Sequence, residues 1–203
     1  MKTYQVKLTF TEPMLGAIPL DPDVYEEHGP GADRPIGSDD ELDTVIEPLD
    51  DENKGVTGFH KLEDGTPIEY DYVIKGFFKD SCRMLRRVKG SESSKIKAFL
   101  KVIDGLVFVF PRRIAVQLPQ GCNGHELEIL SRPLRASTAQ GERIALAHSE
   151  MVPVGSTMEF EVEVMDGVTE KALREWLDYG KRRGLRQWRN AGYGRFSHEM
   201  TAL

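Results

Sequence analysis

Cysteine is scarce: only Cys82 and Cys122 occur in 203 residues, and they form no CxxC or other metal-ligand spacing. That excludes a disulfide framework and points to a reducing, cytoplasmic setting. No apolar run approaches the roughly 20 residues a membrane helix needs, so no membrane partner is expected. The N-terminus, MKTYQVKLTF, alternates polar and apolar residues and lacks the continuous apolar stretch of a signal peptide. The five histidines (His28, His60, His125, His148, His198) are scattered, with no HExxH, and no GxSxG occurs. No metal, no cofactor and no catalytic residue is therefore assigned. Enough apolar sequence remains, at 39% hydrophobic residues, to bury a core within one domain spanning residues 1–203.

Charge is the informative property, through its distribution. Residues 1–72 hold 5 Lys+Arg against 18 Asp+Glu, a net of −13, whereas residues 73–203 hold 22 against 15, a net of +7. The acidic excess concentrates in 19–55, which carries Pro19, Pro22, Pro30, Pro35 and Pro48, the runs Asp39–Asp43 and Asp50–Glu52, and few apolar residues. This composition predicts a long, flexible acidic insertion. The basic remainder is suited to phosphates.

Periodicity supplies the elements. Tyr4, Val6, Leu8 and Phe10 alternate with polar residues and predict a half-buried strand. Asp64-Gly65 marks a turn between Phe59–Leu62 and Ile68–Tyr70. Phe78, Cys82 and Leu85 fall on one stripe of a helix expected over 75–88, with Lys79, Arg83 and Arg86 on another face and Arg87 beside them. Short strands are expected at 105–110, 114–118, 126–130 and 144–147. Met158, Phe160, Val162 and Val164 alternate with Glu159, Glu161 and Glu163, the clearest strand pattern in the chain. A second helix is expected from Thr169 as N-cap, with Leu173, Trp176 and Leu177 inward and Gly180 just past its end. A final strand lies near 194–198. The fold class expected is α+β: a ferredoxin-like (RNA-recognition-motif-like) β-α-β-β-α-β core with an antiparallel sheet and the long acidic insertion.

The segment Lys181–Phe196 carries the strongest functional signal. Five arginines and a lysine lie among Gly184, Gly192 and Gly194. Glycines let a backbone approach phosphate, and arginines offer forked donors to its oxygens. Arg182, Arg183, Arg186, Arg189, Arg195, Gly192 and Gly194 are candidate nucleic-acid contacts here, with Trp188 as a base-stacking candidate. A second candidate is the polar connection 132–143, with Arg132, Arg135, Thr138 and Arg143. Lys79, Arg83, Arg86 and Arg87 on the first helix complete a proposed basic groove. RNA and single-stranded DNA are not separable by such residues.

Several of these segments, taken in order, resemble the RAMP superfamily and within it the backbone subunits of CRISPR effector complexes. Leu8-Thr-Phe10 with Glu12-Pro13 and Gly16 is similar to the family's first strand and its exit. Tyr72–Arg83 is similar to the opening of its first helix, although Lys75-Gly76-Phe77-Phe78 stands where the family has a small Pro-Gly-Ser-Ser turn. Arg135–Gly141 and Ser149–Phe160 resemble its Arg/Thr-rich loop and Glu-x-Val-Pro-x-Gly turn, and Trp176–Phe196 its second helix and glycine-rich loop. The chain also resembles uncharacterised bacteriophage proteins with RAMP features.

The resemblance implies a core that binds RNA backbone through Lys79, Arg83, Arg135, Thr138 and Arg189, in members that stack side by side along a guide RNA. Some members cleave target RNA with an upstream aspartate. Here that region is the acidic insertion, where Asp51 is one of many, and cleavage is not carried over. The leading expectation is a non-catalytic single-stranded RNA-binding protein, a homo-oligomer or part of an effector-like assembly. Two alternatives are a phage decoy that inhibits a nucleic-acid-guided complex by protein contact, and a metal-independent endoribonuclease.

Overall fold

The computed structural model describes residues 1–20 and 55–203 apart from 139 and 140, with the side chains of 134–143 and 145 also outside the description. The acidic run 21–54 thus lies outside the described residues.

The first strand, β1 (Lys2–Phe10), lies one strand in from an edge of the main sheet. Its alternation has the expected consequence: Tyr4, Val6, Leu8 and Phe10 are buried on one face. It pairs antiparallel with β11 (Thr157–Val164) on one side and β12 (Phe196–Ala202) on the other. Beyond β11 lie β7 (Val107–Phe110) and β8 (Arg113–Gln117), which pair with different stretches of it. β8 continues to β6 (Pro67–Tyr70) and β5 (His60–Lys61). The Asp64-Gly65 turn closes that hairpin as read, with Gly65 N–H donating to the Leu62 carbonyl at 2.9 Å.

A second sheet runs β2 (Met14–Leu15), β10 (Gly141–Val152), β4 (Val56–Gly58), β3 (Ile18–Pro19), with β9 (Glu128–Thr138) also paired to β10. Pairing is antiparallel throughout except between β4 and β10. β3 and β4 clasp each other at the two feet of the acidic segment, and Leu20 N–H donates to the Val56 carbonyl at 3.0 Å.

Three α-helices cover the main sheet: α1 (Asp71–Leu85), α2 (Phe99–Leu106) and α3 (Glu170–Arg183). The class is α+β with antiparallel sheets. Ile74, Phe77, Phe78 and Cys82 of α1 meet Leu173, Trp176 and Leu177 of α3 over the β1 core. Phe78 and Trp176 have ring centroids 5.6 Å apart, and the indole N–H donates to Ser93 Oγ at 2.9 Å, so the largest core side chain has its one polar atom satisfied. Truncating such a residue costs about 3–5 kcal/mol.

Four expectations are corrected. The first helix starts at Asp71 rather than 75, because β6 runs straight into it, and it ends at Leu85, with Arg86–Val88 forming a turn. α2 was not foreseen: Gly105, read as a strand start, is helical, and the helix begins after Ala98 in a left-handed conformation (φ 48°). Gly180 is inside α3, not beyond it. A Cβ there would lie 2.1 Å from Phe196 Cζ, so its smallness serves packing, and Gly184 (φ 76°) ends the helix. The described residues of 132–143 are strand, not loop. They belong to the long β9–β10 hairpin, in continuous register from Met151↔Glu128 to Gly141↔Thr138.

Candidate nucleic-acid interface

The glycine-rich segment after α3 folds into a closed loop. Leu185 N–H donates to the Gly194 carbonyl at 2.9 Å, which ties the neck. Gly194 N–H donates to the Pro13 carbonyl at 2.7 Å, and Thr11 and Glu12 N–H groups both donate to the Arg195 carbonyl, which pins the neck to the end of β1. The glycine at 194 is obligatory: φ is 70°, and a Cβ would sit 2.0 Å from the Leu185 carbonyl oxygen. Inside the loop, Arg186 (φ 69°) and Trp188 (φ 52°) adopt left-handed backbone, a conformation costing a non-glycine residue about 1–2 kcal/mol. The surrounding contacts must hold them there.

Those contacts are mostly ion pairs. Both oxygens of Glu69, fully buried on β6, accept from the Arg186 guanidinium, Nε to Oε1 at 2.6 Å. Asp80 of α1 takes Arg183 Nε at 2.9 Å and Arg189 Nη1 at 2.8 Å on the same oxygen. Arg183 also donates to Asn190 Oδ1 at 2.9 Å. Three arginines expected to face nucleic acid are thus matched to carboxylates of the body. On α1, Lys79 pairs with Asp104 of α2 at 2.7 Å, and just past its end Arg86 lies 5.0 Å over the Phe99 ring, so these cations turn towards α2. Arg83 is half-buried, whereas Arg87 and Arg182 are exposed.

What the loop does present is a stack. Trp188, 42% exposed, lies against Tyr193 with centroids 5.1 Å apart and planes 12° from parallel. The Arg132 guanidinium, from β9, sits 4.8 Å over the Trp188 ring and donates from Nη2 to Gln187 Oε1 at 2.7 Å. Its Nε and Nη1 are buried and have no hydrogen-bond partner among the described residues. Burial pushes the Arg132 pKa down from its ordinary value, partly offset by Tyr193. Beside this stack, the Thr57 hydroxyl donates to the Gly16 carbonyl at 2.8 Å and lies 2.8 Å from Ser149 Oγ, so β4, β10 and the residue after β2 share one floor. Arg195 is half-buried, its Nε buried without a hydrogen-bond partner among the described residues, and a Cβ at Gly192 would lie 3.4 Å from its Cζ.

Arg135, Thr138 and Arg143 are placed by backbone register alone, opposite Ile144, Gly141 and Ala136 on the hairpin. The structure therefore brings Arg132, Trp188 and the glycine loop together, with Arg135, Thr138 and Arg143 further along the same hairpin. It does not bring Lys79 or Arg86 to them. Sequence reasoning missed Gln187, Thr57, Glu69 and Asp80. Only Asp80 left a trace, as an acid adjoining the cationic stripe of α1. The sheet face away from the helices carries Glu159, Glu161 and Glu163 on β11 and Glu199 on β12. Lys7 pairs with Glu159 at 2.8 Å there. No described helix is long and apolar enough to cross a membrane, and no group of three or more His, Cys, Asp or Glu suited to a metal occurs among the described residues.

No protein-family model matches the chain, and no curated protein matches it in sequence. Its fold is similar to that of chains from two CRISPR complexes. One neighbour is a chain of the Type III-B Cmr-beta complex bound to cognate target RNA, solved by cryo-EM: TM-score 0.54 at 12% identity, covering 100% of this chain and 60% of that one. Another is a chain of a Type IV-B CRISPR complex, TM-score 0.51 at 12% identity, covering 98% of this chain and 90% of that one. This chain thus spans 60% of the length of the first neighbour. At this identity the likeness is one of fold.

Proposed function

We propose that this protein is a non-catalytic, single-stranded RNA-binding subunit of the CRISPR-backbone type that assembles with further copies along the strand. The observation that carries the reading is the glycine-pinned loop presenting the Trp188–Tyr193 stack against a buried Arg132 that has no carboxylate partner among the described residues. A rigid aromatic platform beside unmatched positive charge is what single-stranded nucleic acid needs, since stacking tolerates any base and guanidinium takes any phosphate. The acidic sheet face repels a polyanion and leaves the side formed by the loop and the β9–β10 hairpin as the path for RNA. The similar fold supports the assignment, because one neighbour is a chain of a complex bound to target RNA.

Two structural readings accompany it. The strand order β12-β1-β11-β7, all antiparallel, with α1 between β1 and β7 and α3 between β11 and β12, supports a ferredoxin-like β-α-β-β-α-β core. A core shared by Met14, Phe59 and Val152 of the second-sheet side with the β1 strand supports one domain over 1–203, with 19–55 inserted between the clasped β3 and β4.

The test is to purify the protein from cells, sequence any nucleic acid that accompanies it, and measure particle size before and after ribonuclease. The expected result is RNA-dependent particles that shrink on digestion, and oligoribonucleotide binding that weakens steeply between about 50 and 200 mM salt. A nucleic-acid-free monomer that binds no oligonucleotide at low salt defeats the reading.

A further inference from the structure

A guanidinium removed from water must be paired or its burial is paid in stability. Arg183, Arg186 and Arg189 obey that rule with Asp80 and Glu69. Arg132 does not. Only 8% of the residue is exposed, its single hydrogen-bonded nitrogen meets the neutral oxygen of Gln187, and Nε and Nη1 meet nothing among the described residues. The parallel fork of a guanidinium is Nε with Nη2, as Arg186 uses on Glu69, so the orphaned Nε and Nη1 of Arg132 each present an N–H to a separate acceptor oxygen, as a phosphate or carboxylate supplies. Over this guanidinium lies the Trp188 ring, which is itself 42% exposed and sits on left-handed backbone, in a loop held at its neck and by the Arg186 and Arg189 ion pairs. A cation whose cover is an exposed, strained aromatic side chain is built to be uncovered.

We propose that Arg132 is the cation of a closed phosphate site with Trp188 as its cover: docking of single-stranded RNA lifts the indole, and the orphaned N–H groups of Arg132 donate to phosphodiester oxygens. The proposal rests on the RNA-binding reading and adds to it a named group and a moving part. The indole keeps its favourable energy by exchanging the guanidinium for a base, as stacking surfaces for bases are worth about 1–3 kcal/mol. Gln187 orients the guanidinium from the far side, and the polar floor of Thr57 and Ser149 lies beside it. The same donors suit the phosphate of a free nucleotide, so the probes must tell a polymer from a small anion.

The test titrates wild type, Arg132→Gln, Arg132→Met, Trp188→Ala and Trp188→Phe with a short single-stranded oligouridylate, uridine monophosphate and inorganic phosphate, following tryptophan emission and anisotropy of labelled oligouridylate. Trp176 is fully buried, so an emission change that disappears in Trp188→Phe belongs to Trp188. Oligouridylate should shift that emission, Arg132→Gln should weaken binding about 10- to 100-fold, the worth of charge-assisted hydrogen bonds, and Trp188→Ala should bind several-fold tighter than Arg132→Gln. Arg132→Met should melt no lower than wild type, because it removes an unpaired buried cation.

If Arg132→Gln binds RNA like wild type, the site is overturned while the RNA-binding reading stands. If wild type binds no oligouridylate yet inorganic phosphate or the nucleotide shifts Trp188 emission in an Arg132-dependent way, the anion site stands and the RNA reading falls. If Trp188→Ala binds as weakly as Arg132→Gln, the cover is overturned and Trp188 is a fixed platform. A lower melting temperature for Arg132→Met assigns Arg132 to structure and overturns the proposal.

Discussion

Two sets of arginines lie within one corner of this molecule and obey opposite rules. Arg183, Arg186 and Arg189 come from the densest basic run in the chain, yet each meets a carboxylate of the body: Asp80 for two of them and buried Glu69 for the third. Arg132 comes from an unremarkable stretch of β9, is equally enclosed, and meets a neutral amide and an aromatic face. The first set holds the glycine loop to α1 and β6. The second leaves charge unmatched. A basic run is therefore a poor map of a binding surface, because burial selects which cations are consumed in holding the fold.

The largest expected effect comes from breaking the first set at its most buried point. Glu69→Leu leaves Arg186 buried and unpaired and should cost about 3–5 kcal/mol in urea or thermal unfolding. Adding Arg186→Met to that variant should restore most of the loss. If the double substitution is no more stable than the single one, the pair is not the coupled unit described.

Next comes the loop itself. Gly194→Ala forces a Cβ against the Leu185 carbonyl at a positive φ and should destabilise by more than about 1 kcal/mol. It should also weaken RNA binding, since the Trp188 platform loses its tether. Unchanged melting and unchanged anisotropy would show that the neck does not hold the platform. Asp80→Asn is a subtler divider. It should cost about 2 kcal/mol, the scale of hydrogen bonds to a charged group, while strengthening RNA binding at low salt by releasing Arg183 and Arg189. A loss of RNA affinity instead would mean that these two arginines act only when held by Asp80.

The smallest effect is a pH dependence. Burial, helped by Arg186 and Arg113, holds His60 below its ordinary pKa. The unfolded chain then binds the proton more readily than the folded one. Stability is full above about pH 6.5, the unfolded value, and falls as pH drops below it. His60→Gln should flatten that slope in thermal melts between pH 7 and 5. An identical slope in the variant would assign the dependence to other groups.

Much of the fold was legible because it rests on local pattern. The alternation of Tyr4 to Phe10 and of Met158 to Val164, the Thr169 cap and the Asp64-Gly65 turn each reflect a rule acting within a few residues. Thr169 Oγ1 accepts from Ala172 N–H at 3.1 Å as that rule requires. α2 escaped because eight residues beginning after a left-handed alanine give too little period to separate helix from strand. The hairpin was split into two strands and a loop because Arg132, Arg135 and Arg143 look like loop chemistry, while cross-strand pairing is not written in either strand alone.

The sequence by itself determined the strongly periodic elements and the location of the glycine loop, since periodicity and conformational freedom are properties of neighbouring residues. Only the tertiary structure decided which arginines are spent and which remain. That choice depends on carboxylates 109 and 117 positions away in the chain, those that meet Arg189 and Arg186. Charge pairing is set by distance in space and by the exclusion of water, and a linear pattern encodes neither.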